Sequence, residues 1–119
     1  MINRVVWLFI PVFLMYALSA SAKNDITRGE QLFRAKKCAV CHPSGENILS
    51  KDHALIGKAF ETRYSTDNAL IAVIRQGLKS SNASMPAFDK QRLSDEELAD
   101  VVAYIRTLGK KDKAATKKS

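Results

Sequence analysis

Cys38-Ala39-Val40-Cys41-His42 decides how this chain reads. Two thiols three positions apart fall on one face of a helical turn. They can reach two vinyl groups of one porphyrin, and the imidazole after Cys41 is then held beneath the iron. C-x-x-C-H is the pattern that attaches c-type haem. A C-x-x-C pair also serves as a disulfide, a zinc knuckle or a redox-active dithiol. Zinc is poorly served, because Cys38, Cys41, His42 and His53 are the only cysteines and histidines, and Cys41 and His42 are adjacent. A thioredoxin-like dithiol expects a strand ahead of it, and none precedes Cys38. A plain disulfide in an exported protein stays open.

Upstream, Met1 to Arg4 is a short positive segment and Val5 to Leu18 an apolar run without a charge. Ser19-Ala20-Ser21-Ala22 supplies an A-x-A cleavage site, so residues 1–22 read as a secretory signal cut after Ala22. The alternative is a retained anchor, but the run is shorter than the ~20 residues that span a bilayer, and Pro11 interrupts it. Removing the signal takes Arg4 alone from the nineteen basic residues, leaving 18 against 12 acidic and a formal charge of +6. The remaining chain is expected as one domain, 23–109, followed by a basic, disordered tail, 110–119. A core this small is marginal alone, and a buried haem would staple it.

Thr27 and Glu30 have the spacing of a capping box, opening a helix in which Ile26, Gly29 and Phe33 share a face and Lys36-Lys37 end the run. Gly29 inside a helix costs about 1 kcal/mol against alanine, which suggests that another helix crosses there. Pro43 to Asn47 carries turn residues, and a short helix is expected over 52–60. Ser65 or Thr66 caps a helix over 67–76, with Leu70, Ile71, Val73 and Ile74 apolar and Gly77 at a left-handed C-cap. Ser94 and Glu97 form another capping box for a last helix with Leu98, Val101, Val102, Ile105 and Leu108 apolar, stopped by Gly109. No strand pattern appears, so the fold class is all-α.

Met85 is the single methionine beyond the signal, and Pro86 holds it extended. With haem bound, His42 is the proximal iron ligand and Met85 the distal one, while Cys38 and Cys41 form the thioethers. Met85 as core filler and His53 as a competing ligand are the alternatives. The second ring nitrogen of His42 is expected to donate to a carbonyl within 52–55, fixing the tautomer. Arg63, Tyr64 and Lys58 are candidate partners for the haem propionates.

Together these residues resemble a class I cytochrome c from Thr27 to Leu108. Gly29 and Phe33 match positions where, in that family, the N-terminal helix packs on an aromatic of the C-terminal helix, here Tyr104. Met85-Pro86-Ala87-Phe88 matches the distal-ligand segment. Gly45-x-Asn47, Asp52-His53-Ala54-Leu55 and the Gly77 to Met85 spacing are similar to the soluble c-six group. The resemblance implies three to four helices around one covalent haem c, with the terminal helices crossing. Three features depart from the group: Val73 where it has a glutamine that tunes the iron, a longer stretch over 80–84, and the lysine-rich C-terminus.

The reading is a periplasmic or otherwise exported monohaem carrier of single electrons, not an enzyme. It is monomeric, and its partners are redox proteins with acidic docking surfaces, not nucleic acid. A small haem enzyme with a dissociable Met85, and a redox subunit fixed on a larger complex, are the rival readings.

Overall fold

The computed structural model describes residues 25–80 and 84–118. The expected signal segment, 1–22, lies outside them. Helix α1, Ile26–Ala35, is capped by Asp25, whose side chain accepts from the Arg28 N–H at 3.0 Å. Thr27 is therefore inside the helix and not its cap. Glu30 pairs with Arg34 one turn on, at 2.9 Å, instead of closing a capping box. The start shifts because an aspartate two residues earlier offers the better acceptor for the free N–H groups.

Lys36 ends α1, and Lys37 turns left-handed (φ +67°) into α2, the single turn Cys38–Cys41. A 3₁₀ turn over Pro43–Gly45 follows, then a second over Lys51–His53. The helix expected over 52–60 is split. Ala54 is extended and Gly57 has φ +94°, so α3 forms later, at Lys58–Arg63. Thr66 caps α4, Asp67–Gln76, accepting from the Ala69 N–H at 3.2 Å. Gly77 has positive φ (+72°) but an extended ψ of 177°. The chain thus leaves α4 into a strand and not through the left-handed cap that was expected. A two-residue antiparallel ribbon follows: β1, Leu78–Lys79, pairs with β2, Ser84–Met85, Leu78 opposite Met85. Strands this short have no period for a sequence to display.

Helix α5, Asp95–Thr116, opens on the expected capping box: Ser94 accepts from the Glu97 N–H (3.2 Å) and donates its own N–H to the Glu97 carboxylate (2.9 Å). It passes through Gly109 and continues to Thr116, beyond the expected stop, so 110–116 are helical and not the disordered tail expected there. Gly109 keeps a helical φ, and the Lys113 ammonium pairs with Glu61 of α3 at 2.8 Å.

α1 and α5 cross at Gly29. A Cβ there would run into the Asp100 carbonyl, so only glycine permits the approach. Phe33 meets Tyr104 edge-on, ring centroids 5.3 Å apart. Asp100 is buried at the crossing and accepts the Asp25 N–H (2.8 Å) and an Arg28 contact (3.2 Å). Phe33, Leu98, Val101, Val102 and Ile105 join Leu70 and Ile74 of α4, Phe60 of α3, and Phe88 and Leu93 in one core.

Candidate functional site

His42 is almost fully buried, 8 % exposed, and is placed by short-range bonding. Its N–H donates to the Cys38 carbonyl at 2.9 Å, which closes the helical turn, and Ile48 N–H returns to the Cys41 carbonyl at 3.0 Å. The ring Nδ1 lies 3.0 Å from the Glu46 carbonyl oxygen. A carbonyl only accepts, so Nδ1 carries the proton and Nε2 keeps its lone pair for a metal. The orienting carbonyl is thus Glu46, four residues on, and not one within 52–55. Those residues serve the loop differently: the Leu55 N–H donates to the Gly45 carbonyl at 2.7 Å. Burial pushes the His42 pKa down, against a smaller upward pull from the Glu46 carbonyl, and His53 adds to the lowering. The imidazole is therefore neutral at neutral pH.

The loop after the 3₁₀ turn is built on Asn47. Its side-chain oxygen accepts from Leu49 N–H and Ser50 N–H, both at 2.9 Å, and its amide donates to the His53 carbonyl at 3.4 Å. Gly45 has φ +93°, and a Cβ there would press on Ile56 and meet Leu108, which seats the loop directly on α5. These roles of Asn47 and Glu46 were missed in the sequence. The Gly-x-Asn spacing was the available signal, since asparagine bonds its own backbone two and three residues on.

All four candidate ligands line one cavity of about 390 Å³: Cys38, Cys41, His42 and Met85. Phe33, Phe60, Leu70, Val73, Ile74 and Ile105 make its wall apolar. That volume lies in the range of small-molecule and cofactor sites. Cys38 and Cys41 are not joined to each other, and burial raises the Cys38 pKa, keeping it a neutral thiol. Among the described residues no group of three or more Cys, His, Asp or Glu could hold a metal, so the zinc reading finds no ligand set. A flat apolar macrocycle that is tied by two thiols and takes a nitrogen and a thioether as ligands fits these residues.

His53, Arg63 and Tyr64 reach the same cavity; Lys58 does not. Arg63 donates to the Asp52 carbonyl (3.3 Å) and lies 3.5 Å from His53 Nδ1. Met85 is placed by the ribbon and by Gly77, where a Cβ would strike the Met85 carbonyl and the Ala87 N–H.

Crossing terminal helices, a C-x-x-C-H turn and a methionine strand around one apolar cavity define a class I cytochrome c. Residues 24–105 match the family model described as cytochrome c oxidase, cbb3-type, subunit III. Cytochrome c6 of Bumilleriopsis filiformis is 40 % identical over 81 residues, covering 68 % of this chain and 88 % of that protein. Cytochrome c6 of Thermosynechococcus vestitus is 36 % identical over 99 residues, 81 % and 82 % of the two chains. The solved cytochrome c6 of the diatom Phaeodactylum tricornutum superposes with a TM-score of 0.59 at 36 % identity, covering 70 % of this chain and 92 % of that one. The chain belongs to the cytochrome c6 group of the class I cytochromes c. It carries one covalently bound haem c and is an electron-transfer protein, not an enzyme. Among the described residues no helix is long and apolar enough to cross a membrane.

Proposed function

We propose that Cys38 and Cys41 hold the haem through thioethers, that His42 Nε2 is the proximal iron ligand and that the Met85 sulfur is the distal one. The observation that carries this is the shared cavity, which brings residues from two distant parts of the chain to one apolar space. When bound, the haem supplies an iron that passes between ferrous and ferric states. The protein's part would be to offer His42 and Met85 to that iron, keep water out with the Phe33, Phe60 and Leu70 wall, and fix the His42 tautomer through Glu46. Arg63 and Tyr64 are the propionate partners. His53 stands beside the Arg63 guanidinium, which suits a place at the propionate edge better than one on the iron.

The test is Met85→Ala. It should keep covalent haem, lose the weak methionine-to-ferric absorption band, bind carbon monoxide when reduced and fall in potential. An unchanged spectrum would remove Met85 from the iron.

Docking follows from the cavity's rim. Val40 and Leu49 line it while 62 % and 52 % exposed, and Ile48 beside them is 62 % exposed. Lys36, Lys37 and Lys79 stand on the same rim. An apolar patch ringed by lysines suits a partner with an acidic surface. The protein works as an exported monomer, with residues 1–22 removed after Ala22, 23–109 forming the cytochrome domain and 110–119 a basic appendage to it. A purified mature chain that begins at Lys23 and elutes at monomer mass is the expected result.

A second reading has one observation in its favour: the matched family model is described as an oxidase subunit. A redox subunit of such a complex would co-purify with it under mild detergent, whereas a diffusing carrier would not.

A further inference from the structure

The segment that carries Met85 is fastened by a side chain outside the ligand set. Arg75 lies in the last turn of α4, and its side chain is 18 % exposed. One of its nitrogens, Nη1, donates to the carbonyl oxygens of Phe88 (3.1 Å) and Leu93. The other, Nη2, pairs with the Asp95 carboxylate at 2.7 Å. A single planar cation thus joins the end of α4, the distal segment and the first turn of α5. Only a guanidinium presents donors in a fork wide enough for this; a lysine ammonium reaches fewer acceptors from one point. The backbone adds one further tie to α4, from the Phe88 N–H to the Ile74 carbonyl at 3.1 Å. On the neighbouring residue, Arg92 donates to the Ala87 carbonyl at 2.8 Å and lies over the Phe88 ring at 4.6 Å.

We propose that Arg75 is a positioning residue for Met85: its three-way clip sets how often the methionine sulfur leaves the iron. The proposal rests on Met85 being the distal ligand. Without the clip two partly buried carbonyls lose their donor, and opening the segment costs less. A competing ligand reads the open population directly, because its apparent affinity scales with the competent fraction.

The experiment uses the haem-loaded protein and measures carbon monoxide affinity in the reduced state, the methionine-to-ferric band, and hydrogen exchange at the Phe88 amide. Arg75→Gln should bind carbon monoxide about tenfold more tightly than the unmodified protein, as the loss of a charge-assisted bond implies. Its band should weaken and its Phe88 amide exchange faster. Arg75→Lys should fall between, keeping the Asp95 pair but not both carbonyl bonds. Arg28→Gln, which cuts the Asp100 pair at the helix crossing, should lower thermal stability with carbon monoxide binding unchanged. If Arg75→Gln does not take up haem, Asp95→Asn keeps both carbonyl bonds, loses the Arg75 ion pair together with a Lys90 pair at 2.9 Å, and should show a smaller rise. Equal affinity in the Arg75 or Asp95 variants, or a rise matched by Arg28→Gln, overturns the proposal. Met85→Ala separates the two failures. If it leaves the band and the carbon monoxide affinity unchanged, Met85 is not the ligand, and the positioning role falls with that reading.

Discussion

Gly29 has room for a hydrogen and nothing larger, because the Asp100 carbonyl occupies the place of its side chain. Alanine would be the better helix former by about 1 kcal/mol, so the contact and not the propensity decides the outcome. Gly29→Ala should force α1 and α5 apart and lower stability by about 2 kcal/mol, the usual cost of overpacking, read as a lower urea midpoint. A protein unchanged or stabilised by the substitution would show that the helices do not meet there. At Val73 the logic runs the other way, since this apolar side chain lines the cavity at the position where the family resemblance implies a glutamine. Val73→Gln should raise the potential by about 40 mV, the one-electron equivalent of a hydrogen bond worth about 1 kcal/mol. Voltammetry of the two proteins checks this.

Among the elements, α5 depends most on its first turn. Ser94→Ala removes the hydroxyl that accepts the Glu97 N–H, leaves the bond from its own N–H to the Glu97 carboxylate, and should cost about 1 kcal/mol, visible as a lower thermal midpoint. This cap was legible from Ser94 and Glu97 alone, as was the apolar stripe from Leu98 to Leu108, because both are local and periodic. The other end of the helix was not. Glycine stops a helix when its φ turns positive, and nothing near Gly109 says whether it will. The same ambiguity hid the split at Gly57 and moved the first cap from Thr27 to Asp25, where two side chains competed for the same N–H groups. In the site, Cys38, Cys41, His42 and Met85 could be singled out because each is chemically distinctive, and they do line one cavity. The Glu46 carbonyl and the Arg75 clip were not, since a backbone oxygen has no letter and an arginine's acceptors lie up to 20 residues away along the chain.

The molecule as a whole is a basic body, with a formal charge of +7 for the full chain, and one apolar rim set with lysines. Transfer to an acidic partner should therefore slow by about an order of magnitude between low and high salt, as screening shortens the reach of the field. Stopped-flow rates across an ionic-strength series check it, and a flat series would count against electrostatic docking. Distance along the chain and distance in space are decoupled at the ribbon. The register of Leu78 against Met85 ties the methionine to the end of α4, so two short strands and not the sequence distance back to His42 decide which residue reaches the cavity. A slip of one residue in that ribbon would turn the Met85 side chain to the opposite face and leave the cavity without its thioether.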